Sequence, residues 1–151
     1  MRRRPEPSVA ARRRDRIRRT HTHDQAVIEI QVDNRSGAVL DERELEALCR
    51  RILAAEGIEA GDLGVALVER AEMRALKQEH LGIDEPTDVL SFPIDGKDEL
   101  ETGPPRQLGD VILCPDVVGD EWQRPLVHGL LHLLGYDHGK EMVRREENLL
   151  A

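Results

Sequence analysis

The run His128-Gly129-Leu130-Leu131-His132-Leu133-Leu134-Gly135-Tyr136-Asp137-His138 decides how this chain is read. With Leu126 and Val127 just before it, the segment is apolar nearly all round, so it reads as a helix running through the middle of a domain. Pro125 suits the first turn of that helix. His128 and His132 are four residues apart and project from one face, one turn above the other. Gly135 can take the left-handed conformation that ends a helix, letting the chain turn back and present His138 to the other two. Three neutral imidazoles on one side of a divalent ion leave a fourth tetrahedral position open for water. That is the layout of a catalytic zinc site rather than a closed structural one.

The spacing H-x-x-x-H-x-x-G-x-x-H is shared with the metzincin proteases, with one difference. Those enzymes carry a glutamate after the first histidine as general base, and this chain has Gly129 there. Peptide hydrolysis on such a site normally uses that carboxylate, so the glycine argues against a protease.

Working outward, Val27 to Val32 alternates in the manner of a half-buried strand and is ended by Asn34 to Gly37. Asp41 caps a helix, with Glu44 completing a capping box. Leu45, Leu48, Cys49, Ile52 and Leu53 follow helical spacing until Gly57 stops the run. Val65 to Val68 reads as a buried strand and Glu69 to His80 as a mostly polar helix. Gly82 and Pro86 break that pattern before a strand from Val89 to Phe92, which Pro93 ends. Asp95 to Gln107 is polar and rich in Gly and Pro, which makes it a hairpin or loop. Val111 to Leu113 supplies a fourth strand, and Lys140 to Leu150 a last helix, charged and partly exposed. The order implies an α+β fold: a small mixed four-stranded sheet packed with helices, with the zinc site on a buried C-terminal helix and the turn that follows it.

A length of 151 residues suits one domain with a real core, built from Leu, Val, Ile and Ala because Phe92, Trp122 and Tyr136 are the only aromatics. No apolar run reaches membrane-spanning length and no hydrophobic signal region follows the N-terminus, so no membrane partner is expected. Cys49 and Cys114 read as small buried hydrophobes, and reduced thiols fit a cytoplasmic protein. Charge is divided unevenly. Residues 1–25 hold nine arginines against Glu6, Asp15 and Asp24, a net of +6, so the rest carries −14 of a total of −8. Residues 1–25 therefore read as a disordered Arg-rich leader and 26–151 as the domain. A basic tail on an acidic domain points to nucleic acid or another polyanion, or is simply a solvated leader.

Three stretches together resemble the YbeY family of metal-dependent endoribonucleases: HGLLHLLGYDH, Pro86-Thr87-Asp88-Val89-Leu90-Ser91-Phe92-Pro93, and Leu108-Gly109-Asp110-Val111-Ile112-Leu113-Cys114. The resemblance covers roughly residues 26 to 150, in the family's order. It implies a zincin-like architecture, one Zn²⁺ ion on His128, His132 and His138, and endonuclease activity on single-stranded RNA. It also implies a hydrolase of ribosome biogenesis, acting in rRNA processing at the small-subunit (16S) ribosomal RNA 3′ end and in ribosome quality control. Ribosomal RNA and the ribosome are the partners it implies, in the cytoplasm.

Zinc lowers the pKa of bound water to about 7, so no dedicated base is needed. Either that water attacks the RNA, or the metal polarises the phosphate while the neighbouring 2′-OH attacks. Asp137 either orients an imidazole or takes a proton, or it caps the turn after Gly135. Tyr136 is a packing residue or a base-stacking one. Thr87, Asp88 and Ser91 either contact substrate or cap and staple the turn at the mouth of a strand.

Two features depart from the family. An arginine usually stands where this chain has Leu81, and leucine cannot grip a phosphate with paired charge-assisted bonds. Arg74, Lys77 or His80 would have to bring positive charge, which makes His80 a second catalytic candidate beside Asp137. The segment between Cys114 and His128 is also short for the family. The alternatives to a ribonuclease are a metal-dependent hydrolase of another substrate and a catalytically weakened ribosome-associated zinc protein.

Overall fold

The structure is a computed structural model that describes residues 27–81, 88–95, 106–137 and 139–151, with the backbone alone at Leu81. The leader, Thr87, His138, most of the polar loop and the Leu81 side chain lie outside the described residues.

Four strands form one mixed sheet. They are β1 (Ile28–Asn34), β2 (Gly61–Leu67), β3 (Val89–Pro93) and β4 (Gln107–Leu113), in the order β1-β2-β4-β3. The β1/β2 and β2/β4 pairs are parallel and β3/β4 is antiparallel. Parallel neighbours need a crossover, and helix α1 (Glu42–Ala55) supplies the first one. The Asp41 carboxylate starts α1 by accepting from the Arg43 and Glu44 backbone N–H groups. Leu45, Leu48, Cys49, Ile52 and Leu53 form its buried stripe, as their spacing requires. Helix α2 is Arg70–Leu81, followed along the chain by a short helix α3 (Pro115–Val118) and a 3-10 turn at Gly119–Glu121. Helices α4 (Gln123–Leu133) and α5 (Lys140–Leu150) complete the fold.

β2 and β4 each begin four residues before the sequence places them, at Gly61 and Gln107. Gly61, Asp62 and Gly64 in one, and Gly109 and Asp110 in the other, are poor strand formers in isolation. Both strands are central and paired on both sides, and that pairing overrides local preference. The polar segment does join an antiparallel pair, so it closes a hairpin. Its base is fixed where Asp95 N–H donates to Gln107 O at 2.7 Å and Gln107 N–H donates to Asp95 Oδ2 at 2.8 Å.

Side-chain alternation in the strands divides the apolar residues between two layers. On one face α1, α4 and α5 pack with Leu63, Val65, Leu67, Val111 and Leu113. On the other, Met73 and Leu76 of α2 pack with Ala66, Leu90, Phe92 and Ile112. Helix α4 lies against β3 and β4, between the sheet and α5, with Leu126, Val127, Leu130, Leu131 and Leu133 buried. The buried central helix read from the sequence is thus where it was expected.

Candidate metal centre

α4 ends as its sequence dictates. Gly135, at φ +101, takes the positive-φ position past the helix end. Its N–H donates to His132 O and that of Tyr136 to Leu131 O, both at 3.0 Å, satisfying carbonyls the last turn leaves open. The chain therefore reverses just after the second histidine. His128 and His132 stand side by side, ring centres 4.7 Å apart and edge to face at 78°. His138 is outside the described residues, and among the described residues no group of three His, Cys, Asp or Glu side chains gathers to hold a metal.

Two features around the pair were not foreseen. Glu146, on the helix read as charged and partly exposed, is 5% exposed, and its Oε1 lies 2.5 Å from His128 Nδ1. Met142 and Leu149, four before and three after it, are also buried, so Glu146 stands on the apolar stripe of α5. An acidic residue on such a stripe is the signal a sequence reading can use. The second feature is Arg124, one turn before His128 on α4, whose guanidinium lies 3.7 Å from Glu146 Oε2. Arg124 also lines an open cleft of about 590 Å³ with Asp88, Val117, Val118, Gln123 and Leu150.

The other candidates are dispersed. Asp88 is exposed at the edge of that cleft. The Ser91 hydroxyl donates to Gly129 O at 2.7 Å, fastening α4 to the edge strand β3. His80 stands edge-on to Phe92 at 5.0 Å, with the residues of the α2 face, and is not gathered with the α4 histidines. Asp137 is exposed and makes no hydrogen bond or ion pair among the described residues. The Tyr136 hydroxyl donates to Glu56 Oε2 at 2.9 Å, which ties the ring to α1. Burial first, and then the Glu56 carboxylate, push the Tyr136 phenol above its ordinary value.

The two imidazoles are adjacent, and one has its Nδ1 against a carboxylate. That donor set suits a borderline-soft divalent ion such as zinc. Gly129 faces the sheet: a β-carbon there would fall 2.7 Å from Val89 Cγ2. Any side chain there starts against the sheet, so the glutamate of the protease motif has no room unless the valines shift.

Comparison with known proteins identifies a family. The profile of the family described as Endoribonuclease YbeY matches residues 29–151. A relative from Acidothermus cellulolyticus named Endoribonuclease YbeY is 39% identical over 136 residues, 78% of this chain and 83% of its own length. Another of that name, from Frankia casuarinae, is 40% identical over 144 residues, covering 80% of this chain and 72% of its own. The solution structure of TM1509 from Thermotoga maritima superposes with a TM-score of 0.52 at 27% identity, over 82% of this chain and 87% of that one. On the family profile and these relatives, the chain belongs to the YbeY endoribonuclease family.

Proposed function

We propose that this chain is a zinc-dependent endoribonuclease cutting single-stranded RNA, acting at the 3′ end of small-subunit ribosomal RNA and in ribosome quality control. That it is an endoribonuclease, a hydrolase of RNA phosphodiester bonds, rests on the family. The metal dependence rests on one observation above all, the side-by-side imidazoles of His128 and His132 on one face of a buried helix; the ribosomal RNA role rests on the family. His138, three residues past Gly135, is the third ligand in this reading, and the zincin-like placing of the ion on α4 and its following turn belongs to it too. When bound, zinc supplies Lewis-acid polarisation of a phosphoryl oxygen or of an attacking water.

The protein's own groups do the positioning. His128 and His132 would hold the ion, with Nε2 the His128 ring nitrogen that Glu146 does not engage, and Ser91 holds their helix against the sheet. The cleft between Asp88 and Arg124 is large enough for a nucleotide. Arg124 offers a cation beside the histidines in a domain that is acidic as a whole, which matters because affinity for RNA comes largely from phosphate contacts. Residues 1–25 serve in this reading as a disordered Arg-rich leader that adds further contacts to RNA. A profile match beginning at residue 29 supports a domain of residues 26–151. The cytoplasm is the setting, in keeping with Cys49 and Cys114 as free, buried thiols. Among the described residues no helix is long and apolar enough to cross a membrane.

Purified protein should carry one equivalent of zinc and cleave single-stranded RNA internally, and a chelator should stop cleavage. His132→Ala should lose metal and activity together, because two remaining ligands make too weak a site. Cleavage that survives the chelator overturns the metal dependence. Full zinc occupancy in folded His132→Ala overturns the ligand assignment.

A further inference from the structure

Glu146 is a carboxylate placed where a leucine would pack. It stands between Met142 and Leu149 on the buried face of α5, with its side chain only 7% exposed. A buried carboxylate is costly unless a partner compensates it. Its close partner is His128 Nδ1, 2.5 Å from Oε1. Arg124, 3.7 Å from Oε2 and 57% exposed, is a looser companion. Nothing about packing α5 on α4 calls for a charge at this point, since the stripe on either side is apolar. The carboxylate is directed at Nδ1 of His128, which leaves Nε2 as the ring nitrogen available to a metal.

We infer that Glu146 is the positioning residue for His128, holding its imidazole in the Nδ1–H tautomer and at a fixed ring angle so that Nε2 is presented for the metal. This rests on the metal reading above and deepens it. An unconstrained neutral imidazole divides its proton between Nδ1 and Nε2 and turns about its ring bond, so part of its population cannot ligate. A carboxylate accepting from Nδ1–H removes both freedoms. His132 lies 4.7 Å away edge to face, so fixing the first ring also limits the second. Loss of such a partner typically weakens metal binding 10- to 100-fold.

The test compares the full-length protein with Glu146→Gln and Glu146→Leu. Zinc affinity is measured by competition with a chromophoric chelator, and the His128 tautomer by ¹⁵N shifts of the metal-free protein. Gln keeps an acceptor oxygen without the charge, whereas Leu keeps only the packing. Affinity should therefore fall in both, by roughly 10- to 100-fold for Leu and less for Gln. The Nδ1–H signature should persist in Gln and give way to Nε2–H in Leu. Leu should nevertheless fold at least as stably as the parent, because an apolar side chain suits that stripe. A merely structural Glu146 would show the opposite, with stability falling and tautomer and affinity unchanged. Equal zinc affinity in all three folded proteins overturns this inference alone. Absence of zinc binding by the parent chain overturns the metal reading, and this inference with it.

Discussion

A β-carbon at Gly129 would lie 2.7 Å from Val89 Cγ2, 2.9 Å from Val111 Cγ1 and 3.2 Å from Ser91 Oγ. Both valines are β-branched strand residues whose χ1 has little freedom to yield. Alanine is favoured over glycine in a helix by about 1 kcal/mol, but overpacking a close interface costs about 1–3 kcal/mol. Gly129→Ala should therefore destabilise the protein by up to about 2 kcal/mol, seen as a lower urea midpoint at unchanged slope. Gly129→Glu should cost more, since it drives a carboxylate into an apolar contact. An alanine variant more stable than the parent by the full helix-propensity gain of about 1 kcal/mol would show that α4 does not approach the sheet this closely. Read alone, the sequence presents Gly129 as a missing general base. In the fold its smallness has a reason of its own, and the absence of a base follows from where the position points.

The elements legible in the sequence were those whose signals are local. The cap at Asp41, the stripe of α1, the apolar surface of α4 and the stop at Gly135 each depend on neighbours within a turn or two. The starts of β2 and β4 were not legible, because glycine and aspartate are kept in strand by partners distant in sequence. The stripe of α5 marks Glu146 as out of place, but not its partner His128, which is 18 residues away. A second long-range tie is testable at this scale. Glu56, just past α1, accepts from Tyr136 OH at 2.9 Å and from Arg145 Nε at 2.5 Å, while Arg145 Nη2 donates to Ala55 O at 3.1 Å. This cluster clamps the turn before His138 and the middle of α5 to the end of α1. Glu56→Ala should cost about 1–3 kcal/mol, toward the lower end because water can re-solvate the Arg145 guanidinium. Thermal denaturation should show the loss, and hydrogen exchange should quicken in α5 more than in α2. Unchanged melting and unchanged exchange would mean that the clamp adds nothing.

At the scale of the whole molecule, the sheet separates a thick layer of α1, α4 and α5 from a thin one made by α2. Composition foretold a core of aliphatic side chains, and the buried clusters are mostly Leu, Val and Ile, with Trp122 the one buried Phe, Tyr or Trp among the described residues. What composition could not supply is the partition between layers, which depends on strand order and puts His80 with one layer and the α4 histidines with the other. The depth of the thick layer has a consequence for pH. Cys49 on α1 is fully buried, and desolvation, with the Glu46 charge adding to it, pushes its thiol from 9.0 up to about 12. The folded pKa is raised above the unfolded one, so this group's contribution is fully present below pH 9 and is lost as pH rises toward about 12. Across that window the unfolded chain releases a proton that the folded chain keeps, which lowers stability by about 1.4 kcal/mol per pH unit. Tyr136, also raised, acts in the same direction above its ordinary value of 10.0. Urea unfolding of the parent and of Cys49→Ala, measured from pH 8 to about 10.5, isolates the cysteine. The alanine costs a constant amount for its lost volume, and every other titration is common to both proteins. The parent's stability should therefore fall more steeply than the variant's by close to one proton's worth above pH 9. Parallel curves would show that the Cys49 thiol reaches water in the folded protein, and that the layer between α1 and the sheet is not closed.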